Sequence, residues 1–322
     1  MTAVCRYHAR VMTESQHKVQ LVDIDQRHQD QRLDNFLLAR LKGVPKSRVY
    51  KLLRSGQVRV NKGRKKADYR LQAGDQVRIP PVRTSERDPG TAPPGLLEAV
   101  SRNILFEDEQ ILAINKPAGL AVHGGSGVPF GVIEILRQLR PDAPMLELVH
   151  RLDRDTSGCL VIAKSRPALT RLHALFRNEH DMEKIYRAVL VGRWQGGEIT
   201  VDAPLLKNTL QGGERMVSVD PAGKPAQTLF TPLDYYPQAS YAEIRLFTGR
   251  THQIRVHAAH LGHPVAGDPK YGDKDFNQTL KNKGLKRMFL HAYKLSFRLD
   301  RDYQLVAPLD EDWQTLMADF NR

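Results

Sequence analysis

The sequence predicts an α+β protein of two domains: a small domain of two helices and short strands, then a larger domain built on a mixed or antiparallel sheet. The chain has 322 residues, more than one compact core usually needs. A proline-rich stretch with few apolar residues, residues 81–100, is typical of a linker between two regions of regular hydrophobic pattern. Beyond it, strand-like runs outnumber helical ones and several follow one another directly, which favours a mixed sheet with helices packed on it.

The composition indicates a protein with an anionic partner in a reducing compartment. The formal net charge is +13 and the pI is about 9.8. Two cysteines, Cys5 and Cys159, cannot build a disulfide framework. The chain begins without the apolar core of a signal peptide, and no run is long enough to span a bilayer, so we expect a cytoplasmic protein without a membrane partner. Residues 1–17 are predicted to be a disordered tail.

Residues 18–80 are predicted to form the small domain. Apolar residues alternate in its first segment and recur at helical spacing in the next two. Ser47 is the predicted cap of the second helix, and Gly56 its predicted end. The predicted elements are a strand over residues 18–25, a helix over 33–41, a helix between Ser47 and Gly56, and strands over 58–61 and 76–79.

The charge of this small domain is concentrated. Between Arg32 and Arg70 there are 13 Lys or Arg and only 2 acids, so most of the net charge of the chain falls in one module. Such a concentration is typical of a phosphate-backbone binder, although a solvated basic face would look similar and two adjacent helices could also suggest duplex DNA. The pattern resembles the S4 RNA-binding domain. The candidate RNA contacts in it are Arg32, Lys46, Arg48, Arg54, Arg59 and Lys62.

Residues 101–322 are predicted to form the second domain. Its predicted elements are a hairpin of residues 104–106 and 111–115, a helix over 132–139, strands over 145–149 and 159–163, a helix over 167–176, strands over 184–191, 226–231 and 241–247, a helix over 251–261, a strand over 289–299 and a helix over 309–320. Residues 273–287 are polar and rich in Lys and Asn, and are predicted to be a mobile loop. The glycine-rich segment over 123–127 is no Walker motif, because no Gly-Lys-Ser/Thr follows it.

The most informative stretch is His150–Gly158. It places a dense polar loop between the apolar runs 145–149 and 159–163. Loops that are fixed by a rigid scaffold often carry chemistry, although a plain surface turn has the same composition.

Two other chemistries can be weighed for the polar residues. Asp153 and Asp155 fit the DxDxT pattern of phosphatases that form an aspartyl-phosphate, but there the first Asp ends an apolar strand, whereas His, Arg and Leu precede Asp153. His257 and His260 could share a helix face and hold a metal, yet no Cys or paired acid accompanies them. We therefore predict no metal site.

A second polar segment could complete a site around Asp153. Thr251 can cap a helix, and Arg255 then lies one turn further along. If Arg255 points at the loop of Asp153, the guanidinium neutralises the carboxylate and keeps it ionised in a dry pocket. The alternative is an arginine on the exposed face of an amphipathic helix.

Three segments together resemble the three successive motifs of the RluA-type pseudouridine synthases, in the same order. They are His150–Gly158, Lys184–Ala188 and Arg250–His257. Asn115–Gly119 and Phe289–Ala292 extend the similarity, which covers about residues 18–310. The family resemblance implies an S4-like domain followed by a pseudouridine synthase catalytic domain.

The resemblance also implies the reaction. Uracil is detached from its ribose at nitrogen 1, rotated and rejoined through carbon 5, which requires no redox step and no group donor, so no cofactor is expected. Within the family, the segments Leu41–Ser47, Val122–Gly127 and Ala203–Asn208 are most similar to the branch that acts on uridines of 23S ribosomal RNA. The expected partner is 23S rRNA or the assembling large ribosomal subunit, and the protein is expected to be a monomer. The alternatives are other rRNA or tRNA uridines, or a non-catalytic ribosome-assembly protein that only binds RNA.

The same resemblance implies roles for residues. Asp153 is the catalytic carboxylate, with attack on the sugar, addition to the base and abstraction of a sugar proton all open as its step. Arg255 is its partner, and Tyr186 stacks on the uracil and assists loss of the carbon-5 proton. Arg151 is a candidate to fill the base stack vacated by the flipped uridine, and His150 is a candidate RNA contact or support for the loop. The residues expected to shape the loop are Asp155, Thr156, Ser157 and Gly158.

Overall fold

The computed structural model describes residues 19–41, 44–82, 90–125, 128–178, 181–209 and 215–320. The predicted tail over 1–17, Lys18, residues 83–89 of the predicted linker and residues 126–127 of the glycine-rich segment lie outside them. Within the chain, contacts fall into two compact units that meet in sequence between Pro89 and Gly90.

The first unit is a three-stranded antiparallel sheet covered by two helices. Its elements are β1 (Gln20–Asp23), α1 (Leu33–Arg40), α2 (Lys46–Arg54), β2 (Arg59–Val60) and β3 (Gln76–Ile79). β3 lies between β1 and β2. Apolar side chains of both helices, such as Leu37 and Val49, pack with Val60 and Val77 in one core and are fully buried. The predicted helices and strands of this unit are therefore present.

One local prediction in this unit is wrong. α2 starts at Lys46 with Pro45 at the N-cap position, so Ser47 lies inside the first turn and no side chain caps the helix. Proline suits a helix start because its fixed φ fits the entry and its missing N–H would have no helical partner there. The predicted end is confirmed, since Gly56 follows α2 with a left-handed φ of 71°.

The second unit contains twelve strands and six helices among the described residues. They are α3 (Pro94–Arg102), β4 (Ile104–Glu107), β5 (Ile111–Lys116), α4 (Val132–Leu139), β6 (Glu147–Leu148), β7 (Ser157–Ala163), α5 (Arg166–Arg177), β8 (Met182–Val191), β9 (Ile199–Asp202), β10 (Leu205–Thr209), β11 (Arg215–Val219), β12 (Gln227–Tyr235), β13 (Ala239–Leu246), α6 (Gln253–His260), α7 (Lys274–Asn282), β14 (Leu290–Arg298), β15 (Asp302–Val306) and α8 (Glu311–Phe320).

A mixed sheet organises this unit, as predicted. Among the described residues it has ten strands, with the main order β4-β5-β7-β14-β8-β13-β12-β9, while β15 pairs with β14 and β6 with β7. The pairing of β7 with β14 is parallel, and the neighbouring pairings of β5 with β7 and of β14 with β8 are antiparallel. β10 and β11 form a separate hairpin.

Helices cover both faces at the β5–β7 end of the sheet. Because side chains alternate along a strand, Leu112 faces one side and packs with Leu136 of α4, whereas Ala113 faces the other side and packs with Leu172 of α5. The strand β7 is buried along its whole length between these layers. The polar loop that precedes β7 is therefore anchored in the centre of the core.

The predicted linker is shorter than expected. α3 occupies residues 94–102, and Ala92 and Val100 are almost completely buried in the core that contains α4. Leu96, Leu97 and Val100 have helical spacing, and Pro94 is tolerated because it stands in the first turn. The high proline content of this stretch led to the prediction of a linker where α3 lies.

The prediction of a mobile loop over residues 273–287 is also wrong. Asp273 accepts a hydrogen bond from the amide of Phe276 and caps α7. Leu280 and Leu285 are buried against Trp313 and other apolar residues. Only one face of α7 packs against the core, so the helix needs few apolar residues. The other residues of the segment are polar, and for this reason the sequence did not indicate a packed helix.

None of the described helices is both long and apolar enough to cross a membrane.

Candidate active site

The three sequence motifs meet at one cavity of about 680 Å³ in the second unit. The loop before β7 contributes Arg151 and Asp153, β8 contributes Tyr186, and the start of α6 contributes His252 and Arg255. β8 and β7 are separated by one strand, β14, which explains how distant segments reach the same space.

Asp153 and Arg255 form the predicted pair. The Nη1 group of Arg255 donates a hydrogen bond of 3.0 Å to Oδ2 of Asp153. The side chain of Arg255 is 6 % exposed and that of Asp153 is 29 % exposed, so the carboxylate faces the cavity while its partner lies beneath it. A hydrogen-bonded cation at this position stabilises a negative charge that solvent can still approach.

A second acid, Asp268, holds the arginine. Arg255 donates from Nε and Nη2 to the two oxygens of Asp268, each at 2.7 Å. Although burial opposes ionisation, this fork and the amides of Lys270 and Tyr271 keep the pKa of Asp268 below its ordinary value. The opposing charges raise the pKa of Arg255 in spite of its burial. Arg255 is thus fixed with one remaining edge aimed at Asp153.

Asp268 was missed in the sequence, because it stands in a turn after α6 without a recognisable motif. Its position depends on α7: Asn277 accepts a hydrogen bond from the Gly267 amide at 2.7 Å and donates one to the Asp268 carbonyl at 2.8 Å. The segment predicted to be mobile therefore supports the arginine pair.

Backbone and lysine hydrogen bonds hold the loop of Asp153 in place. The amide of Thr156 donates to the Asp153 carbonyl at 3.2 Å, which closes a turn. The ammonium group of Lys116, completely buried, donates to the carbonyls of Pro117, Leu120 and Arg154 at 2.8–2.9 Å. Burial lowers the pKa of Lys116 to about 7. In the sequence Lys116 is only one residue of an extended motif, and its support of the loop is a tertiary feature.

The end of the loop is held by two residues of the predicted set. Ser157 has its hydroxyl 2.8 Å from Nδ1 of His291 and accepts a 2.7 Å hydrogen bond from Arg287. Gly158 has a φ of 109°, and a Cβ there would lie 2.3 Å from the Ala292 carbonyl oxygen. β7 can approach β14 this closely only because residue 158 has no side chain.

Asp155, the other acid of the loop, lies apart from Asp153. It lines a smaller cavity with Gly119 and Arg287. Its ion pair with Arg154 is long, with 3.9 Å between the charged atoms. The two acids therefore do not converge on one metal, as the phosphatase interpretation would require.

His150 supports the loop from inside. Its Nε2 accepts a 3.0 Å hydrogen bond from the Val161 amide, and its ring stacks on Phe176 with centroids 4.5 Å apart. Burial lowers the pKa of His150 to about 3, so it is neutral at physiological pH. This geometry fits a supporting residue better than a charged RNA contact.

Tyr186 lines the cavity and packs against two apolar clusters. Burial and, next, the charge of Asp153 raise the pKa of Tyr186. Its phenol is consequently protonated at physiological pH. Arg151, also on the cavity wall, is exposed.

The start of α6 differs from the prediction. The helix begins at Gln253, its N-cap is His252 and no side chain caps it, so Thr251 is not the cap. Instead the amide oxygen of Gln253 accepts hydrogen bonds from the Arg250 amide at 3.0 Å and the Thr248 hydroxyl at 2.7 Å. These bonds fix the turn and let residue 252 adopt a left-handed conformation with a φ of 54°.

The other histidines of this region have structural partners. His257 is hydrogen-bonded to the Thr228 hydroxyl and the Ala203 carbonyl, both at 2.9 Å. His263 is 2.9 Å from the Val191 carbonyl. Within the described parts of the chain, no group of three or more His, Cys, Asp or Glu side chains could hold a metal ion.

The basic residues of the first unit have different environments. Arg32 is half-buried and its guanidinium is 2.8 Å from the buried Asp34. Arg59 donates to the carbonyls of Gly56 and Lys62 and so stabilises a turn. The remaining candidates are exposed, and they are Lys46, Arg48, Arg54 and Lys62.

Comparison with known proteins gives matches to both units. The family model described as RNA pseudouridylate synthase matches residues 110–260, and the S4 domain model matches residues 31–77. A relative from Pasteurella multocida (strain Pm70), named ribosomal large subunit pseudouridine synthase C, is 51 % identical over 305 residues, 93 % of this chain and 93 % of the relative. The proteins of the same name from Salmonella typhimurium (strain LT2) and Escherichia coli (strain K12) are 55 % and 52 % identical over 87 % and 91 % of this chain, and 88 % and 94 % of their own length.

Two solved structures of human proteins are similar to this chain. A human protein titled RNA pseudouridylate synthase domain containing 4 matches with a TM-score of 0.59 and 27 % identity over 70 % of this chain and 96 % of its own. A second, titled RNA pseudouridylate synthase domain containing 1, matches with a TM-score of 0.56 and 25 % identity over 70 % and 97 %.

A mixed sheet that presents one arginine-paired carboxylate and one tyrosine in an open cavity, in a chain that also carries a basic S4 unit, defines an RNA-modifying enzyme. This chain belongs to the RNA pseudouridylate synthase family. It is a pseudouridine synthase, an isomerase of RNA uridines.

Proposed function

We propose that this enzyme converts specific uridines of 23S ribosomal RNA, the RNA of the large subunit, into pseudouridine. The proposal is supported by relatives of about 50 % identity that are named for the large ribosomal subunit and aligned along nearly the whole chain. Its chemical support is the pairing of Asp153 with Arg255 beside Tyr186. We place the reaction in the cytoplasm, on naked rRNA or on the assembling subunit, and expect a monomer to act.

Asp153 is the proposed catalytic carboxylate. It is hydrogen-bonded to Arg255 and exposed enough to meet the ribose or base of a uridine in the cavity. The N-glycosidic bond breaks, the uracil turns, and carbon 5 bonds to the same ribose carbon; carbon 5 then loses its proton and nitrogen 1 gains one. One bond is exchanged for another and one proton is lost and one gained, so the isomerisation needs no other reactant.

Tyr186 and Arg151 are proposed to stabilise the flipped state of the uridine. A uridine inside folded RNA must be flipped out to reach the cavity, which costs a few kcal/mol. The phenol ring of Tyr186 gives the flipped uracil a surface to stack on, and as a protonated group it acts through its hydroxyl, not as a phenolate. The exposed guanidinium of Arg151 can stack in the gap that the base leaves.

The S4 unit is proposed to hold the RNA through its phosphates. Lys46, Arg48, Arg54 and Lys62 carry this role, because they are exposed and form no salt bridge with an acid among the described residues. Arg32 and Arg59 are proposed to shape this surface, since their guanidinium groups are engaged within the unit.

The decisive experiment is to incubate the purified enzyme with 23S rRNA from a strain that lacks the modification, and to map pseudouridine chemically. Asp153→Asn should lower the rate at least about 10³-fold, whereas Asp155→Asn, the matched control in the same loop, should stay within about tenfold of wild type. Formation of pseudouridine in tRNA but not in 23S rRNA would support the alternative substrate. Full activity of Asp153→Asn would refute the catalytic assignment.

A further inference from the structure

His252, at the start of α6, has an unusual left-handed backbone conformation. Its φ of 54° and ψ of 20° are left-handed, which is uncommon for a residue with a side chain and costs free energy. The conformation turns the imidazole toward the cavity, with Nε2 3.8 Å from Oδ2 of Asp153 and Nδ1 2.8 Å from the hydroxyl of Tyr271. The histidine side chain is only 16 % exposed.

The hydrogen bonds of Tyr271 favour one tautomer of His252. The Tyr271 hydroxyl accepts a 3.0 Å hydrogen bond from the amide of Val217 on β11. An amide N–H can only donate, so of the two groups bonded to this hydroxyl the imidazole nitrogen is the one able to accept its proton. When the hydroxyl donates its proton to Nδ1 of His252, Nδ1 is the acceptor and the imidazole proton is on Nε2, facing Asp153 and the cavity.

The ring stays neutral in this position. Burial is the main reason that the pKa of His252 is lowered, and the nearby charges of Arg255 and Lys270 act in the same direction. Asp153 and Asp268 oppose them without reversing the shift. A neutral imidazole with a fixed Nε2–H is a donor that keeps its proton.

We propose that His252 is a second catalytic group, which donates a hydrogen bond from Nε2 to an oxygen of the uracil ring while the detached base carries negative charge. When the bond between the ribose and nitrogen 1 breaks, its electron pair leaves with the base and spreads over nitrogen 1 and the two ring oxygens. A fixed neutral donor stabilises that charge without transferring a proton. This inference rests on the proposed role of Asp153.

A neutral donor suits this site better than a cation. An imidazolium 3.8 Å from Asp153 would form an ion pair with the carboxylate that must react. Neutral histidine is known to act as an electrophile in other enzymes whose sites lower its pKa. Tyr271 would be the positioning residue: its hydroxyl fixes the tautomer, and its ring lies under the guanidinium of Arg255 at 5.0 Å.

The proposal predicts a loss in kcat with little change in KM, because the charge on uracil develops only after binding. His252→Gln and His252→Leu form a matched pair: both face the same cost at a left-handed φ, but only glutamine offers an N–H. We expect His252→Leu to lose about 10²–10³-fold in kcat and His252→Gln to recover at least about tenfold of it, with KM for the rRNA within about threefold of wild type. Tyr271→Phe should cost about tenfold or less in kcat.

A spectroscopic measurement tests the same idea without relying on the folding of variants. Nitrogen-15 NMR of wild-type enzyme labelled in histidine should show His252, assigned by its loss in His252→Gln, as the neutral Nε2–H tautomer at pH 7.5. A protonated ring, an Nδ1–H tautomer, or equal kcat values for His252→Leu and His252→Gln would overturn the proposal. Failure of the proposed function is separate, because it would appear as wild-type enzyme that leaves 23S rRNA unmodified or as active Asp153→Asn.

Discussion

Among the single residues, the geometry of one guanidinium controls the site. Arg255 uses Nε and Nη2 on Asp268 and Nη1 on Asp153, so one planar group joins two acids from different loops. Lysine could supply the charge but not this fixed fork of donors. The buried acid orients the arginine, and the exposed acid is the one free to react.

Removing the orienting acid should damage both stability and activity. We expect Asp268→Asn to lower the free energy of unfolding by about 3–5 kcal/mol, because it leaves Arg255 buried with half of its neutralising partners. Asp302→Asn is the matched control, since Asp302 forms an exposed pair with Arg298 and should change little. Urea unfolding measures both, and equal midpoints for the two variants would contradict the role of Asp268.

The neutral ring of His150 should make the enzyme sensitive to acid. Its pKa is about 3 in the fold against 6.5 when unfolded, so below pH 6.5 the unfolded chain binds a proton that the folded chain excludes. Stability is therefore intact above about pH 6.5 and falls as the pH drops toward 3, by up to about 1.4 kcal/mol per pH unit.

The variant His150→Gln isolates this contribution. It should reduce the slope of Tm against pH between pH 6.5 and 4, although His291, with a pKa lowered to about 4, keeps part of it. His173→Gln is the control because His173 is exposed. Thermal scans across this range would contradict the assignment if all three proteins had the same slope.

Among the secondary-structure elements, the strand that follows the catalytic loop sets the position of that loop. β7 runs parallel to β14, and the close pairing begins at Ser157 and Gly158 opposite His291 and Ala292. The loop therefore enters the sheet at its centre, where β14 separates it from Tyr186 on β8. A small shift of the β7–β14 contact would move Asp153 relative to Tyr186.

Gly158→Ala should cause such a shift. The left-handed φ and the 2.3 Å approach of a Cβ to the Ala292 carbonyl predict a loss of more than about 2 kcal/mol in unfolding free energy and a lower kcat. Gly95→Ala is a control of opposite sign: Gly95 lies in α3 with open space around it, so alanine should stabilise by up to about 1 kcal/mol. An unchanged Tm for Gly158→Ala would contradict the proposed close contact.

Across the whole molecule, charge and chemistry are divided between the two units. Most of the net positive charge falls within residues 32–70, whereas the cavity with Asp153 belongs to the unit after residue 89. Contacts to phosphates give an RNA affinity that depends strongly on salt concentration. The cavity instead determines which atom reacts. Affinity and turnover should consequently respond to different substitutions.

The double variant Arg48→Ala/Arg54→Ala tests this division. It should weaken rRNA binding and reduce the slope of log K against log salt by about 1 for each phosphate that is no longer neutralised, while kcat at saturating RNA stays near wild type. Arg298→Ala is the control, because it removes a positive charge from an exposed position of the second unit. Binding measured at several salt concentrations would refute the prediction if both proteins kept the wild-type slope.

Local patterns in the amino-acid sequence were sufficient for the α+β class, the basic first module and most strands of the second unit, because these features depend on local hydrophobic period and local charge. The pairing of Arg255 with Asp153 was implied by the family resemblance, because the local pattern alone left an exposed arginine as an alternative. Local patterns did not predict α3 or α7, whose apolar faces are short and flanked by proline or lysine.

Which further polar groups support the pair of Asp153 and Arg255 emerged from the tertiary structure alone. Asp268, Lys116, Tyr271 and the tautomer of His252 carry no local signature, since their partners are carbonyls, amides and side chains from other segments. The physical reason is that a buried polar group is defined by the atoms that satisfy its hydrogen bonds, and those atoms become neighbours only when the sheet has formed.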